Sequence, residues 1–266
     1  MSQVQNKIQV EYITFGYEQQ PLFADLSVTF QDNEFCAIVG PNGSGKTTLL
    51  KCIDRLLPIR TGEILVNGSS IRQHTPTDLA KIISYVPQSQ DQIFDVSVYD
   101  IVMMGLYPYQ KKWQAARPED DAVVLQMLER CHLTHLKGRF LRELSGGERQ
   151  RTLIARAMAQ QTPIMLLDEP LANLDVAHRY EIMDILANLN RQGVMVIIVM
   201  HDFSIALEYA THALLMKKGA VMQHDLIRRV LTPDNIRTGF DLNEQFLIDD
   251  AGHIAKKATI LPHWTR

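Results

Sequence analysis

The sequence predicts an α/β fold with parallel strands at its core. Three observations lead to that class. Phe35-Cys36-Ala37-Ile38-Val39, Ile164-Met165-Leu166-Leu167 and Val194-Met195-Val196-Ile197-Ile198-Val199 are short, unbroken apolar runs, which suit strands buried on both faces. A glycine-rich turn, Gly40-Pro41-Asn42-Gly43-Ser44-Gly45-Lys46-Thr47, follows the first run and leads into the helical stretch Thr48-Leu49-Leu50-Lys51-Cys52-Ile53. From about Val96 to Ala159 the pattern is helical, so the order is α/β, helical insert, then α/β again.

The remaining elements follow along the chain. Ile8, Val10 and Tyr12 alternate with polar neighbours, as do Leu26, Val28 and Phe30, which predicts two half-buried strands paired antiparallel. Ile64-Leu65-Val66 before Asn67-Gly68, and Ile82-Ile83-Ser84-Tyr85-Val86, predict two more. Pro118-Glu119-Asp120-Asp121 places acidic groups in a first helical turn, where the helix dipole favours them. Ile182, Ile185, Leu186 and Leu189 recur at helical spacing, and Gly193 suits a C-terminal cap. A small hairpin is expected around Asp250-Ala251-Gly252. Cys131-His132-Leu133-Thr134-His135 lacks a four-ligand metal spacing and reads as a helix end.

Composition narrows the function. A chain of 266 residues that is 46% hydrophobic supports a sizeable core and argues against disorder. A net charge of −3 gives no support for nucleic acid as a main partner. The start of the chain shows no basic region followed by an apolar stretch, so no signal peptide is expected. The most apolar run, Val194 to Met200, is far too short to span a bilayer. Three cysteines in apolar or helical contexts, Cys36, Cys52 and Cys131, read as reduced core thiols of a cytosolic protein.

The glycine-rich turn carries the first chemistry. It fills the pattern Gly-x-x-x-x-Gly-Lys-Ser/Thr, the P-loop, in which backbone N–H groups curl inward around a phosphate. Lys46 can reach the β- and γ-phosphates and the Thr47 hydroxyl can hold Mg²⁺. The loop precedes a helix N-terminus, which adds to its preference for anions. The apolar run before Asp168-Glu169 ends in two carboxylates, where α/β sheets place ligands. Asp168 suits Mg²⁺, directly or through water; Glu169 points elsewhere and can polarise an attacking water. His201 and Gln88 each follow a strand and can reach a γ-phosphate, and a metal or water, respectively. Ser145-Gly146-Gly147-Glu148 makes a capping box for the next helix, and its paired glycines expose N–H groups at a second anion site.

In order and rough spacing, the P-loop, Gln88, Leu144-Ser145-Gly146-Gly147-Glu148, Asp168-Glu169, Leu174-Asp175 and His201 resemble the ATP-binding cassette (ABC) ATPases over about residues 5–240. The resemblance implies a P-loop NTPase core with an N-terminal antiparallel β-subdomain and an inserted α-helical subdomain. It divides the chain into an ATPase domain over 1–240 (core about 1–89 and 160–240, helical subdomain about 90–159) and a short segment, 241–266. It implies ATP and Mg²⁺ as cofactors and a head-to-tail homodimer with two ATP molecules between the chains. Asn42, Gly43, Ser44, Gly45, Lys46, Thr47 and Thr48 would hold one nucleotide, with Tyr17 stacked on adenine. Ser145, Gly146, Gly147 and Glu148 would meet the partner's nucleotide. Glu169 would be the catalytic base, assisted by His201, Lys46 and Gln88; Thr47, Gln88 and Asp168 would hold the metal; Asp175 would signal across the dimer. Glu148 departs from the commoner Gln, and Ala172 from a frequent Ser.

The segment Phe94-Asp95-Val96-Ser97-Val98-Tyr99-Asp100-Ile101-Val102-Met103-Met104-Gly105-Leu106-Tyr107-Pro108-Tyr109 resembles that of importers of iron–siderophores, haem and vitamin B12, although Leu106 stands where Arg is usual. Leu174-Asp175-Val176-Ala177-His178 resembles the same group. Without that resemblance, Met103-Met104 reads as core packing. The expected partners are a membrane permease and, indirectly, an extracytoplasmic substrate-binding protein. The expected location is the cytoplasmic face of the inner membrane. A manganese or zinc importer ATPase and a soluble ATPase of iron–sulfur cluster assembly remain open alternatives.

Overall fold

The computed structural model describes residues 7–18, 20–88, 95–110, 117–243, 246–249 and 253–256. Strands β1 (Ile8–Tyr17) and β2 (Gln20–Phe30) pair antiparallel, with Ile8 opposite Phe30 and Val10 opposite Val28. Their alternation buries Ile8, Val10, Leu26, Val28 and Phe30, the expected faces. Tyr12 breaks the alternation. It has a positive φ at an irregularity in the register and is exposed. After β3 (Phe35–Val39) and α1 (Lys46–Ile53), β4 (Thr61–Val66) and β5 (Ser69–Ser70) complete a four-stranded sheet in the order β2-β1-β4-β5. Helix α1 starts at Lys46, two positions ahead of the apolar run that announces it, so the loop's last residues belong to its first turn.

The short helix α2 (Pro76–Leu79) leads to β6 (Ile83–Val86). The helical stretch resolves into α3 (Val98–Met103) with a 3₁₀ continuation, α4 (Pro118–Arg130) and α5 (Gly146–Ala159). The acidic first turn of α4 is as expected, and Cys131 caps its C-terminal end. Next come β7 (Ile164–Asp168), α6 (Val176–Arg191), β8 (Met195–Val199), α7 (Phe203–Tyr209), β9 (His212–Lys217) and β10 (Ala220–Leu226). Helices α8 (Ile227–Val230) and α9 (Pro233–Gly239) follow, then β11 (Phe246–Ile248) paired antiparallel with β12 (Ile254–Lys256). The hairpin tip predicted at Asp250-Ala251-Gly252 lies outside the described residues.

The central sheet has six strands in the order β10-β9-β3-β8-β7-β6; all neighbours are parallel except β10 with β9. Strand β3 shows why its sequence lacks alternation. Phe35, Ala37 and Val39 join one core cluster with the helices of the insert, while Cys36 and Ile38 join another with α1 and the antiparallel sheet. Each large side chain so buried contributes about 1.5–3 kcal/mol, an upper estimate because the unfolded chain is itself partly collapsed. Met103 packs against the first cluster as core packing predicts, but Met104 is exposed. All three cysteines are free and buried.

Candidate functional site

Parallel strands that share one direction put their C-terminal ends on one edge. Loop 40–47 leaves β3 there, Asp168-Glu169 ends β7, and Gln88 and His201 lie just past β6 and β8. These residues come together around a cleft of about 500 Å³ lined by Tyr17, Leu22, Asn42, Gly43, Gly45, Lys46, Thr47, Thr48, Gln88, Glu169 and His201. An adjoining cleft of about 420 Å³ shares Glu169 and His201.

The loop needs glycine at position 45. Its φ is +100°, and a Cβ there would lie 2.5 Å from the Phe23 ring. Lys46 is buried and its Nζ donates to the carbonyls of Gly40 (2.8 Å) and Pro41 (3.0 Å), which holds the ammonium over the loop. Burial pulls its pKa below the ordinary lysine value, with Glu169 and Asp168 acting the other way. Ser44 is placed differently from its neighbours. Its side chain is buried off the cleft wall, and its N–H closes the loop by donating to Pro41 O at 3.2 Å.

Asp168 and Glu169 diverge, as successive residues at a strand end must. Asp168 is buried, and its Oδ1 accepts from Thr47 Oγ1 (2.7 Å) while Oδ2 accepts from Tyr85 OH (3.2 Å). Burial pushes its carboxyl up, and the two hydroxyl donors partly offset that. Glu169 Oε2 accepts from Gln88 Nε2 at 2.7 Å, and Oε1 lies 2.9 Å from His201 Nε2. The Glu169 backbone sits at φ +47°, a region that costs a non-glycine residue about 1–3 kcal/mol. That conformation aims its carboxylate into the cleft between two polar partners. Tyr17 is half exposed at the rim, braced edge-on by Phe15 at 5.0 Å, with its hydroxyl 3.3 Å from Thr48 Oγ1.

Ser145, Gly146, Gly147, Glu148 and Asp175 are not on this cleft wall. They form a second group of their own. Ser145 and Glu148 make the predicted capping box: Glu148 N–H donates to Ser145 Oγ (3.3 Å), and Ser145 N–H donates to Glu148 Oε2 (2.8 Å). Glu148 is therefore committed to the cap, and those bonds hold its carboxyl below the usual range. Asp175 caps α6, accepting from His178 N–H at 3.0 Å, with His178 Nδ1 at 2.7 Å from its other oxygen. The His178 ring packs directly against Gly147. A Cβ on Gly147 would come within 2.6 Å of it, so only glycine allows this approach.

Sequence reasoning missed two participants. Tyr85 alternates within β6 like an ordinary half-buried strand residue, and only the pairing of β6 with β7 sets its hydroxyl against Asp168. His178 stands in segment 174–178 with no chemical signal of its own, and nothing local foretells its contact with Gly147.

Comparison with known proteins tests what these two groups mean. The profile of the family described as ABC transporter matches residues 23–172, which include the loop, Gln88, the capped Gly146-Gly147 turn and Asp168-Glu169. The chain belongs to the ABC transporter family. As an ABC transporter ATPase it binds ATP. It is 32% identical to the iron(3+)-hydroxamate import ATP-binding protein FhuC of Bacillus subtilis (strain 168), over 92% of this chain and 91% of the relative. It is 34% identical to the ferric enterobactin transport ATP-binding protein FepC of Escherichia coli (strain K12), over 92% of this chain and 90% of that one. Among solved structures, a metal-chelate type ABC transporter in an inward-facing conformation superposes with a TM-score of 0.79 at 30% identity, covering 94% of this chain and 97% of that one. The ABC ATPase fold expected from the motifs, with its antiparallel β-subdomain and largely parallel core sheet, is the fold found. Among the described residues, no helix of this ABC ATPase is long and apolar enough to cross a membrane.

Proposed function

We propose that this chain is the ATP-hydrolysing subunit of an importer for an iron chelate, a siderophore or haem, or a related cobalamin-type cargo. The observation that carries hydrolysis is Glu169, held in the cleft between Gln88 and His201 with Lys46 close enough to feel its charge. A carboxylate gripped through both oxygens can orient one water toward the terminal phosphate and take its proton. Backbone N–H groups of 42–48 and the Lys46 ammonium take the phosphates, His201 the γ-phosphate, and Tyr17 the adenine face. Thr47, Asp168 and Gln88 carry oxygen donors of the hard kind that suit Mg²⁺, and the 2.7 Å hydrogen bond between Thr47 and Asp168 brings two of them close enough that both would serve such an ion, directly or through water. That ion would neutralise charge that develops on the β- and γ-phosphates.

The signature turn 145–148 and Asp175 lie away from the cleft, so in this reading they serve the nucleotide of a second copy. Two chains pack head to tail around two ATP molecules, and the closing motion passes through the region of Gln88 to a permease. Residues 89–94 of that region, which include Phe94, lie outside the described residues. Residues 1–240 are the ATPase domain (core about 1–89 and 160–240, helical subdomain about 90–159), and 241–266 is a short appendage. The subunit works peripherally on the cytoplasmic face of the membrane, with a binding protein delivering cargo on the other side. The names of the similar proteins support the iron-chelate class: one is an iron(3+)-hydroxamate import ATP-binding protein, the other a ferric enterobactin transport ATP-binding protein.

The test is capture of tagged Glu169→Gln chain with ATP from detergent-solubilised membranes, followed by mass spectrometry. A multi-spanning permease neighbouring an iron-chelate binding protein is expected. A manganese or zinc permease would move the cargo, and only sulfur-assembly proteins would sink the importer reading.

A further inference from the structure

At the other end of β3 from the ATP cleft, three chemically distinct donors converge. Glu34 precedes the strand, Cys36 lies within it, and His224 reaches across from β10. His224 Nε2 is 3.7 Å from Cys36 Sγ and 3.3 Å from Glu34 Oε2, and the three donor atoms all lie within 4.8 Å of one another. The sequence gives no hint of this, because Cys36 and His224 are 188 positions apart. We propose that Glu34, Cys36 and His224 form a binding site for a borderline-soft divalent cation of the zinc class, which clips the start of β3 to β10.

The spacing fits a tetrahedral ion. Bonds of about 2.3 Å to sulfur and about 2.0–2.2 Å to nitrogen and oxygen give tetrahedron edges of roughly 3.6 Å for S···N and roughly 3.4 Å for N···O. The observed separations match both edges at a common nitrogen. Hydrogen bonding through the imidazole accounts for only one of its two contacts. One imidazole Nε2 carries either a single hydrogen or a single lone pair, so it serves the thiol or the carboxylate but not both. Glu34 is only 4% exposed, yet its Oε2 is buried without a hydrogen-bond partner. A buried carboxylate oxygen in that state is costly unless a charge is placed against it, a place that a protonated His224 ring at 3.3 Å or a bound cation can take. Its other oxygen accepts from Gln31 N–H at 2.9 Å, an outer contact that fixes the carboxylate with Oε2 facing the cluster.

The donor set selects the ion. A thiolate with an imidazole favours zinc-like ions over Mg²⁺ or Ca²⁺, and three protein ligands leave a fourth position for water. Access runs past His224, the one member of the cluster with appreciable exposure, at 14% for its side chain. The Phe30 ring packs 5.2 Å from the imidazole and walls off the apolar side. Cys36 is present as a thiol until the ion displaces its proton, because burial and the Glu34 carboxylate hold its pKa high. Binding therefore releases that proton to solvent. The site would tie the start of β3 to β10, at the end of the sheet away from the nucleotide, so it adds a stabilising clasp independent of the proposed cargo.

The test uses the full chain, reduced, free of nucleotide and of any histidine tag, titrated with Co²⁺ and then Zn²⁺. A thiolate-to-cobalt charge-transfer band that saturates near one equivalent and disappears on adding Zn²⁺ is expected. Cys36→Ser should abolish the band, and His224→Gln should weaken binding at least ~10-fold and remove any rise of Tm with Zn²⁺. Asp168→Asn should keep the band, which separates this site from the cleft. Absence of a thiolate band in the wild-type chain, or a band that survives Cys36→Ser, overturns the proposal. If Cys36→Ser does not fold, equal Zn²⁺ affinity of wild type and His224→Gln overturns it instead.

Discussion

Asp168 and Asp175 belong to the same stretch of chain, yet their surroundings push them in opposite directions. Asp168 lies in the cleft, where burial raises its carboxyl pKa; Asp175 sits on the surface, where the His178 backbone N–H and ring lower it. The contrast extends to their neighbours. In the cleft, burial also lowers the Lys46 ammonium, so both ions are disfavoured as they stand. In the signature group, the Ser145 bonds lower Glu148, so its charge is already satisfied. A cation at Asp168 and a phosphate at Lys46 would each favour the charged form and oppose that effect of burial. The cleft thus gains from a ligand, while the signature turn is finished within its own chain and is available to another.

Removing the centre of the cleft should have the largest effect. Glu169→Gln keeps the shape and the contact with Gln88 but loses the proposed base, and turnover should fall about 10²–10⁴-fold. Nucleotide affinity should stay within a few-fold of wild type, measured by equilibrium titration beside steady-state ATPase. An unchanged turnover would remove Glu169 from its assigned role and with it the distinction between the two groups.

The burial-dominated region reaches Asp54, at the C-terminal end of α1, whose carboxyl is pushed up from 3.8 to about 7 by burial alone. Its charge also bears on Tyr85, the hydroxyl that holds Asp168. The folded chain keeps the Asp54 proton to higher pH than the unfolded chain does. The stability linked to it is complete below about pH 4 and is lost as pH rises through about 7. At about 1.4 kcal/mol per pKa unit this amounts to at most ~4 kcal/mol. Asp54→Asn should therefore be more stable than wild type at pH 8 and show a flatter profile between pH 4 and 7 in urea unfolding. Identical profiles would mean that water reaches Asp54 after all.

Lys46→Ala removes a charged donor from the phosphate site. A charge-assisted bond is worth about 1.5–3 kcal/mol, so nucleotide affinity should drop roughly 10–100-fold in a single chain. Wild-type affinity in a fluorescent-nucleotide titration would show that the backbone N–H groups suffice.

What could be read in advance divides along the same line. Strands β3, β7 and β8 and loop 40–47 were legible because burial on both faces and a phosphate-binding curl each dictate local residue types. The capping box was legible because Ser145 and Glu148 are three apart on one helix end. The contacts of Tyr85 with Asp168 and of His178 with Gly147 were not, since they depend on which strands and helices become neighbours. Ser44 matched the motif, yet its side chain is buried and does not line the cleft, because a spacing rule records the loop's backbone and not each side chain's surroundings. Glu34 and Cys36 met His224 only through the order β10-β9-β3.

The smallest effect on a single chain's stability and nucleotide affinity belongs to the signature turn, and it separates the two groups most sharply. Ser145→Ala loses one N-cap bond, which costs about 1 kcal/mol in stability, seen as a modest shift in the urea midpoint. Because Ser145 is not on its own chain's cleft wall, nucleotide affinity of a dilute single chain should not change. Turnover should still fall, since the partner's site loses its cap. Mixing Ser145→Ala with Lys46→Ala chains then decides between one-chain and two-chain sites. In a head-to-tail pair, both lesions fall on one shared site and leave the other with a wild-type loop and a wild-type turn. Activity should reappear in the mixture although neither variant turns over well alone. If the mixture stays at the average of the two, the turn acts within its own chain, and the exposed cap of α5 is a structural feature only.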